Sequence, residues 1–302
     1  MSDNNRLKGK SSLFAKLMIL VIFLIGFGIF VYPTVSDIWN RHRNEQLINS
    51  YRVSAEDLSE ERTAKLWEEA EEYNKQHTVN TIVDAFNEDD DYVLTHPYDQ
   101  LLDPNGDGLM GSIEIPKIDV NLPVYHGLGT DVLEKGAGHV EGTSLPIGGE
   151  STHCVLAGHR GLPTAKLFTD LDQMEEGDIF LLHILDRTLA YRVDRIKTVL
   201  PEESGELSII PGEDHVTLVT CTPYGVNTHR LLIRGIRTDY TEEIQQMEKT
   251  AEEQHKVDPF IVLVVGAIVF LIIILVIYKS TKNRNKDDSS KEELNDDIKR
   301  GG

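Results

Sequence analysis

Two apolar runs, Leu17 to Tyr32 and Phe260 to Tyr278, limit what this chain can fold into more than any other feature. A helix needs roughly 20 such residues to cross the hydrocarbon core of a bilayer. Neither run has the polar face that an amphipathic core helix would carry, so both read as membrane spans. Arg6, Lys8, Lys10 and Lys16 precede the first run, a layout that cleavable signal peptides share. No small-residue cleavage site follows it. The chain passes through Tyr32-Pro33-Thr34-Val35 into a polar helical pattern, so the first run is expected to remain as a signal anchor. Lys279, Lys282, Arg284 and Lys286 follow the second run, and basic flanks mark the cytoplasmic side. The expectation is a two-pass protein of the cell membrane, with both termini cytoplasmic and about Pro33 to Asp258 facing outwards.

A net charge of −20 over 302 residues suits an exported domain and excludes nucleic acid as a partner, because phosphate contacts need a basic surface. Between the spans the pattern changes three times. Residues 36–80 are rich in Glu, Lys, Arg and Ala, with Ile38, Leu47, Leu58, Leu66, Trp67 and Tyr73 at roughly helical spacing, which predicts two amphipathic helices forming a stalk or collar. Residues 81–110 carry an acidic run and the breakers His96-Pro97 and Asp103-Pro104, which predicts a long exposed loop. From Gly111 onwards, short β-type runs alternate with turn signals such as Pro146-Ile147-Gly148-Gly149 and Pro211-Gly212, the rhythm of a β-barrel or sandwich. A helix is expected at Thr164 to Phe168. The organisation is therefore 1–35 N-terminus and anchor, 36–80 helical stalk, 81–110 loop, 111–240 β domain, 241–258 linker helix, 259–278 second span and 279–302 charged tail.

Asp103, Asn105, Asp107, Gly108 and Glu114 match the calcium-loop spacing D-x-[DN]-x-[DN]-G-x5-E. The frame is wrong, because Pro97 and Pro104 disrupt the entry helix and Ile113-Glu114-Ile115-Pro116 reads as a strand. An Asx-rich turn is the expected structure. Neither a P-loop nor a zinc-ligand spacing occurs, so no cofactor and no metal are expected.

The chain has two cysteines, Cys154 and Cys221. Cys154 lies inside the apolar run Cys154-Val155-Leu156-Ala157, the setting of a small buried hydrophobe. Cys221 ends a strand, and Arg230 starts the next after a short loop. A hairpin would bring the two together, and a guanidinium beside a thiol stabilises a thiolate and, later, an oxyanion. Of the 11 histidines, His159 closes the apolar run Val155-Leu156-Ala157-Gly158 where a strand opens into a loop, a usual position for catalytic groups. A reactive Cys–His pair needs surroundings that favour thiolate and imidazolium.

Leu156-Ala157-Gly158-His159-Arg160 and Thr217-Leu218-Val219-Thr220-Cys221-Thr222-Pro223 resemble the signatures of the sortase family, with the arginine a short loop later. The stretches 138–146, 161–171 and 227–232 resemble the class C, pilin-polymerising sortases of Gram-positive bacteria. That resemblance implies a closed β-barrel of about eight strands, catalytic Cys221, His159 and Arg230, and a cysteine transpeptidase working at the cell wall. Its partners would be pilin or surface proteins bearing an LPxTG-like sorting signal and an acceptor pilin lysine. It also implies a lid ahead of the barrel, for which Asp84-Ala85-Phe86 is the matching place, with alanine where the family has proline. His96-Pro97-Tyr98 and Asp103-Pro104-Asn105 are rival places. A housekeeping-type sortase and a non-catalytic membrane-anchored binding barrel are the alternative functions.

Overall fold

A computed structural model describes residues 3–77 and 97–254, with the single positions 266, 269 and 270. Asp84 and Phe86, and all but those three positions of the second apolar run, lie outside the described residues. Residues 1–251 form one compact unit and 252–302 a second.

Helix α1 (Asp3–Glu56) carries the first apolar run and continues with Pro33 inside it, so that run and the first expected stalk helix are one element. It is long and apolar enough to cross a membrane, and Ile22, Ile29 and Phe30 stand exposed on it. Its C-terminal half is polar and docks on the β domain. Buried Tyr51 donates its hydroxyl to Met110 O at 2.7 Å, and Arg41 pairs with Asp119 at 2.6 Å. Helix α2 (Glu60–Gln76) begins where the Ser59 side chain caps Arg62 N–H at 3.2 Å. It buries Leu66, Trp67, Ala70 and Tyr73, a spacing that keeps one face inward. Trp67 donates to Asp186 at 2.8 Å, and Arg187 lies 4.0 Å over its ring. The expected stalk is thus a collar packed against the barrel.

The β domain is a closed barrel ordered β1-β2-β3-β4-β7-β8-β6-β5. The strands are β1 (Leu109–Ile115), β2 (Val120–His126), β3 (Ala137–His139), β4 (Thr152–Ala157), β5 (Ile179–Ile184), β6 (Arg187–Val199), β7 (Asp214–Thr222) and β8 (His229–Thr238). The β2/β3 and β4/β7 pairs are parallel and the others antiparallel. Strand alternation sorts the side chains. Cys154, Leu156, Val216, Leu218, Leu231 and Ile233 join the main core. Val155, Ala157, Val219 and Leu232 form a second apolar cluster on the opposite face, with Val140 and Leu207.

Two local expectations fail. Thr164 to Phe168 is a series of turns, not a helix, with Leu167 at φ 42°. Its backbone is claimed by α1, since Asn40 donates to Thr164 O at 2.7 Å and Asp37 accepts from Lys166 N–H at 2.9 Å. The stretch 97–102 is not an exposed loop, for Tyr98, Leu101 and Leu102 are buried. The Tyr98 hydroxyl donates to His139 Nδ1 at 2.8 Å and accepts from Gly127 N–H at 3.0 Å.

Buried histidines make the fold acid-sensitive. His139 donates from Nε2 to Ser144 O at 2.9 Å and accepts from Tyr98 at Nδ1, so its hydrogen bonds suit the neutral ring. Burial holds it at a pKa of about 3. His153, held between Ser208 O and Thr217 Oγ1, is lowered to about 4 by burial. An unfolded imidazole titrates near 6.5, so the unfolded chain binds these protons first and stability falls as pH drops below about 6.5. Each group removes about 1.4 kcal/mol per pH unit until its folded pKa is reached. Thermal melts from pH 7.5 to 4.5 should show Tm falling steadily below pH 6.5. A Tm that stays level to pH 5 contradicts this.

Candidate active site

The parallel β4/β7 ladder pairs Ala157 with Val219 and continues one bond further, with Gly158 N–H donating to Val219 O at 3.1 Å. Two residues beyond that pair on each strand, His159 and Cys221 come level. On the other side of β7, Cys221 is paired directly with Arg230 of β8. Paired residues on adjacent strands point to the same face. Cys221 and Arg230 therefore share the face of the second apolar cluster, and His159, two residues past the end of β4, continues their row at the same end of the barrel.

The residues between them explain the motifs. Thr220 points the opposite way from Cys221, is fully buried, and donates its hydroxyl to Gly158 O at 2.7 Å, tying the end of β7 to the end of β4. Gly158 is required there because a Cβ would lie 2.7 Å from the Phe168 ring. Phe168 N–H donates in turn to His159 O at 3.1 Å. Arg230 is only 9% exposed, although its outward face left it no need of burial. Its Nη1 donates to Asn227 O of the β7–β8 loop at 3.1 Å and to His229 O at the start of β8 at 3.2 Å. Arg230 shares its face with Leu232, as alternation predicts.

Electrostatics depart from one expectation. Burial lowers the His159 pKa, partly offset by the Glu134 carboxylate, so the neutral imidazole is favoured where the sequence reading looked for imidazolium. Cys154 is fully buried and its thiol is pushed well above the usual range by burial. No disulfide joins it to Cys221.

The two rival lid places have other work. Tyr98 is committed to His139 and Gly127. The Asp103 carboxylate accepts N–H groups of Asn105, Gly106, Asp107 and Gly108 at 2.7–3.2 Å, which is the Asx turn expected. Glu114, the last member of the calcium-like spacing, is drawn elsewhere. With His183 and Glu248 it forms a cluster the sequence spacing did not reveal, with His183 Nε2 at 3.5 Å and 3.8 Å from the two carboxylates. Their donor atoms lie within 4.8 Å of one another. The cluster joins β1 and β5 to helix α4 (Glu242–Gln254), which carries Glu248 and whose Ile244 packs on Leu181 and Ala190.

A closed eight-stranded barrel with a His–Cys–Arg row at the ends of β4, β7 and β8 is the arrangement that the motif resemblance implied. Residues 113–238 match the model of the sortase domain. The chain belongs to the sortase family, whose members are cysteine transpeptidases. Its solved neighbours are class C sortases. The crystal structure of sortase C-1 from Streptococcus pneumoniae is 44% identical, covering 65% of this chain and 100% of that one at a TM-score of 0.61. A pilus-related sortase C of Group B Streptococcus is 41% identical over 62% of this chain and 94% of that one, at a TM-score of 0.57. Sortase A of Streptococcus agalactiae serotype III is 29% identical over 48% of this chain, which spans 55% of that relative.

Proposed function

We propose that this protein is a class C sortase that cleaves an LPxTG-like sorting signal between Thr and Gly and joins the acyl group to a lysine of a pilin subunit. The row of His159, Cys221 and Arg230 at one end of the barrel is the observation that carries the reading. The Cys221 thiolate attacks the threonine carbonyl carbon, and the resulting oxyanion accepts hydrogen bonds from the Arg230 guanidinium. The threonine–glycine C–N bond then breaks as His159 gives its proton to the departing amine, leaving a thioester on Cys221. The acceptor lysine arrives as an ammonium and passes a proton to His159. Its amine attacks the thioester, and as the C–S bond breaks the nitrogen gives up its second proton to solvent, leaving an isopeptide bond, the Cys221 thiolate and a protonated His159.

Asp84 and Phe86 act as the lid in this reading, Asp84 pairing with Arg230 and Phe86 covering Cys221. Support comes from the engagement of Tyr98 and Asp103 elsewhere. Changing both Asp84 and Phe86 to alanine is expected to raise peptide cleavage about tenfold, the worth of one charge-assisted hydrogen bond; an unchanged rate argues against this lid. The protein is read as a two-pass membrane protein with its barrel outside, which places the site where surface proteins emerge.

The test is to incubate the full chain in detergent with a polypeptide ending in LPxTG-like sequence and two acceptors, a lysine-bearing pilin domain and a pentaglycine or diaminopimelate-type cell-wall peptide. Isopeptide-linked pilin is the expected product. Transfer to the cell-wall peptide alone favours the housekeeping-type enzyme, and binding without cleavage favours the non-catalytic barrel.

A further inference from the structure

We infer that Arg160 is a positioning residue for this site, clamping the strand end that carries His159 onto the loop that joins Cys221 to Arg230; the inference rests on the reading of the row as a sortase site. The β4/β7 ladder gives its last backbone bond at Gly158. Beyond it, the His159 backbone is held from outside the sheet, where Phe168 N–H donates to His159 O at 3.1 Å. Arg160 is the residue after His159 and lies in the bend that follows the strand.

That side chain is 8% exposed and joins three segments. Its Nη1 donates to Thr222 Oγ1 at 3.3 Å, one residue after Cys221. Its Nη2 pairs with Asp172 Oδ2 at 2.5 Å, in the helical turn Leu171–Gln173. The guanidinium carbon stands 5.9 Å from the centre of the Tyr224 ring on the β7–β8 loop. Gly161 brings the same two loops into contact again. At φ +81° it presents backbone to that ring, and a Cβ there would lie 2.9 Å from Tyr224 Cε2.

A planar guanidinium can bond a hydroxyl and a carboxylate while lying against a ring, and a lysine ammonium cannot reproduce that fork. Burial makes the arrangement stiff, since a charge leaving Asp172 for apolar surroundings is costly. Asp172 also offsets the positive charge, so Arg160 acts on the reaction through where it holds His159 and Thr222, rather than through a field of its own. Displacing a reacting group by about 1 Å can cost a hundredfold in rate.

The experiment uses the full chain in detergent, as wild type, Arg160→Ala, Arg160→Lys, Asp172→Asn and Tyr224→Ala. Three readouts are taken: kcat and KM for an LPxTG-like peptide, the pH profile of kcat/KM, and the pH dependence of Cys221 alkylation by iodoacetamide. Arg160→Ala should lower kcat by roughly 10- to 100-fold with KM changed by no more than about threefold. Its alkylation profile should move away from wild type, because the thiol no longer titrates beside a fixed His159. Arg160→Lys should recover little, and Asp172→Asn and Tyr224→Ala should fall between. A kcat within about twofold of wild type, or a loss accounted for by the unfolded fraction in a thermal melt with an unmoved pH profile, overturns the inference. Should neither wild type nor the chain with Asp84 and Phe86 changed to alanine cut the peptide, the sortase reading fails while the alkylation profiles still decide the clamp: superimposed profiles reject it, separated ones retain it. If Arg160→Ala does not fold, Asp172→Asn and Tyr224→Ala decide on the same measures.

Discussion

Replacing Arg230 by alanine is expected to lower kcat/KM for a sorting-signal peptide by roughly 10²- to 10³-fold, the usual effect of losing one oxyanion donor. The expectation follows from the ladder, which sets Arg230 directly opposite Cys221. In the proposed mechanism a guanidinium so placed meets the oxygen on which charge develops, and hydrogen bonds to the carbonyls of Asn227 and His229 hold it in place. Preorganised in this way, the donor needs no rearrangement during reaction. Arg230→Lys should recover only part of the rate, because one ammonium cannot bond both carbonyls and the oxyanion in the same geometry. The measurement is steady-state peptide cleavage, with a thermal melt to show that the variant is folded at the assay temperature. An alanine variant within fivefold of wild type means that Arg230 is a structural residue.

The largest effect on stability is expected at Phe168, where alanine should cost about 3–5 kcal/mol. Phe168 is fully buried in the main core, and it stands against Gly158 so closely that no side chain fits between them. Its removal leaves a cavity directly under the strand end that supports His159. The variant should therefore lose activity as well as midpoint in a denaturant titration, the two losses having one cause. A cost under 1 kcal/mol in that titration would show that the site collapses around the gap.

Much of the barrel was legible because its strands obey alternation. The runs at 111–116, 121–125, 153–157, 178–184, 189–197, 215–221 and 230–237 each overlap an observed strand. The three residues of β3 gave no periodic signal, since so short a strand owes its place to partners on either side. Strand order was also hidden. Parallel pairing of β2 with β3 and β4 with β7 depends on crossovers that no local pattern encodes, and the first of these brings His139 beside Tyr98. The false helix at Thr164 to Phe168 came from reading good helix formers without the Asp37 and Asn40 side chains that bind their backbone from 129 and 124 residues away. Tyr98 misled for the opposite reason, as a proline-flanked aromatic in a polar stretch looks exposed until His139 is known to face it.

The same contrast runs through the site. Cys221, His159 and Arg230 could be picked out because each lies at a strand end with a distinctive flank. Thr220 and Gly158 belong to the same motifs, yet their roles emerged only with the β4/β7 register. Arg160 carried no signal beyond adjacency to His159, because its partners Asp172, Thr222 and Tyr224 are scattered along the chain. Glu114 was drawn into a calcium-like spacing by its distance from Asp103, whereas its neighbours in the fold are His183 and Glu248.

The account stands on Cys221 as the nucleophile of an acyl transfer, and intact-mass spectrometry of the full chain mixed with an LPxTG-like peptide tests that step most directly. The wild-type chain should gain the mass of the peptide up to and including its threonine, with release of the glycine fragment, and Cys221→Ala should gain nothing. An adduct that persists in Cys221→Ala, or a failure to gain mass both in the wild-type chain and in one with Asp84 and Phe86 changed to alanine, would contradict it.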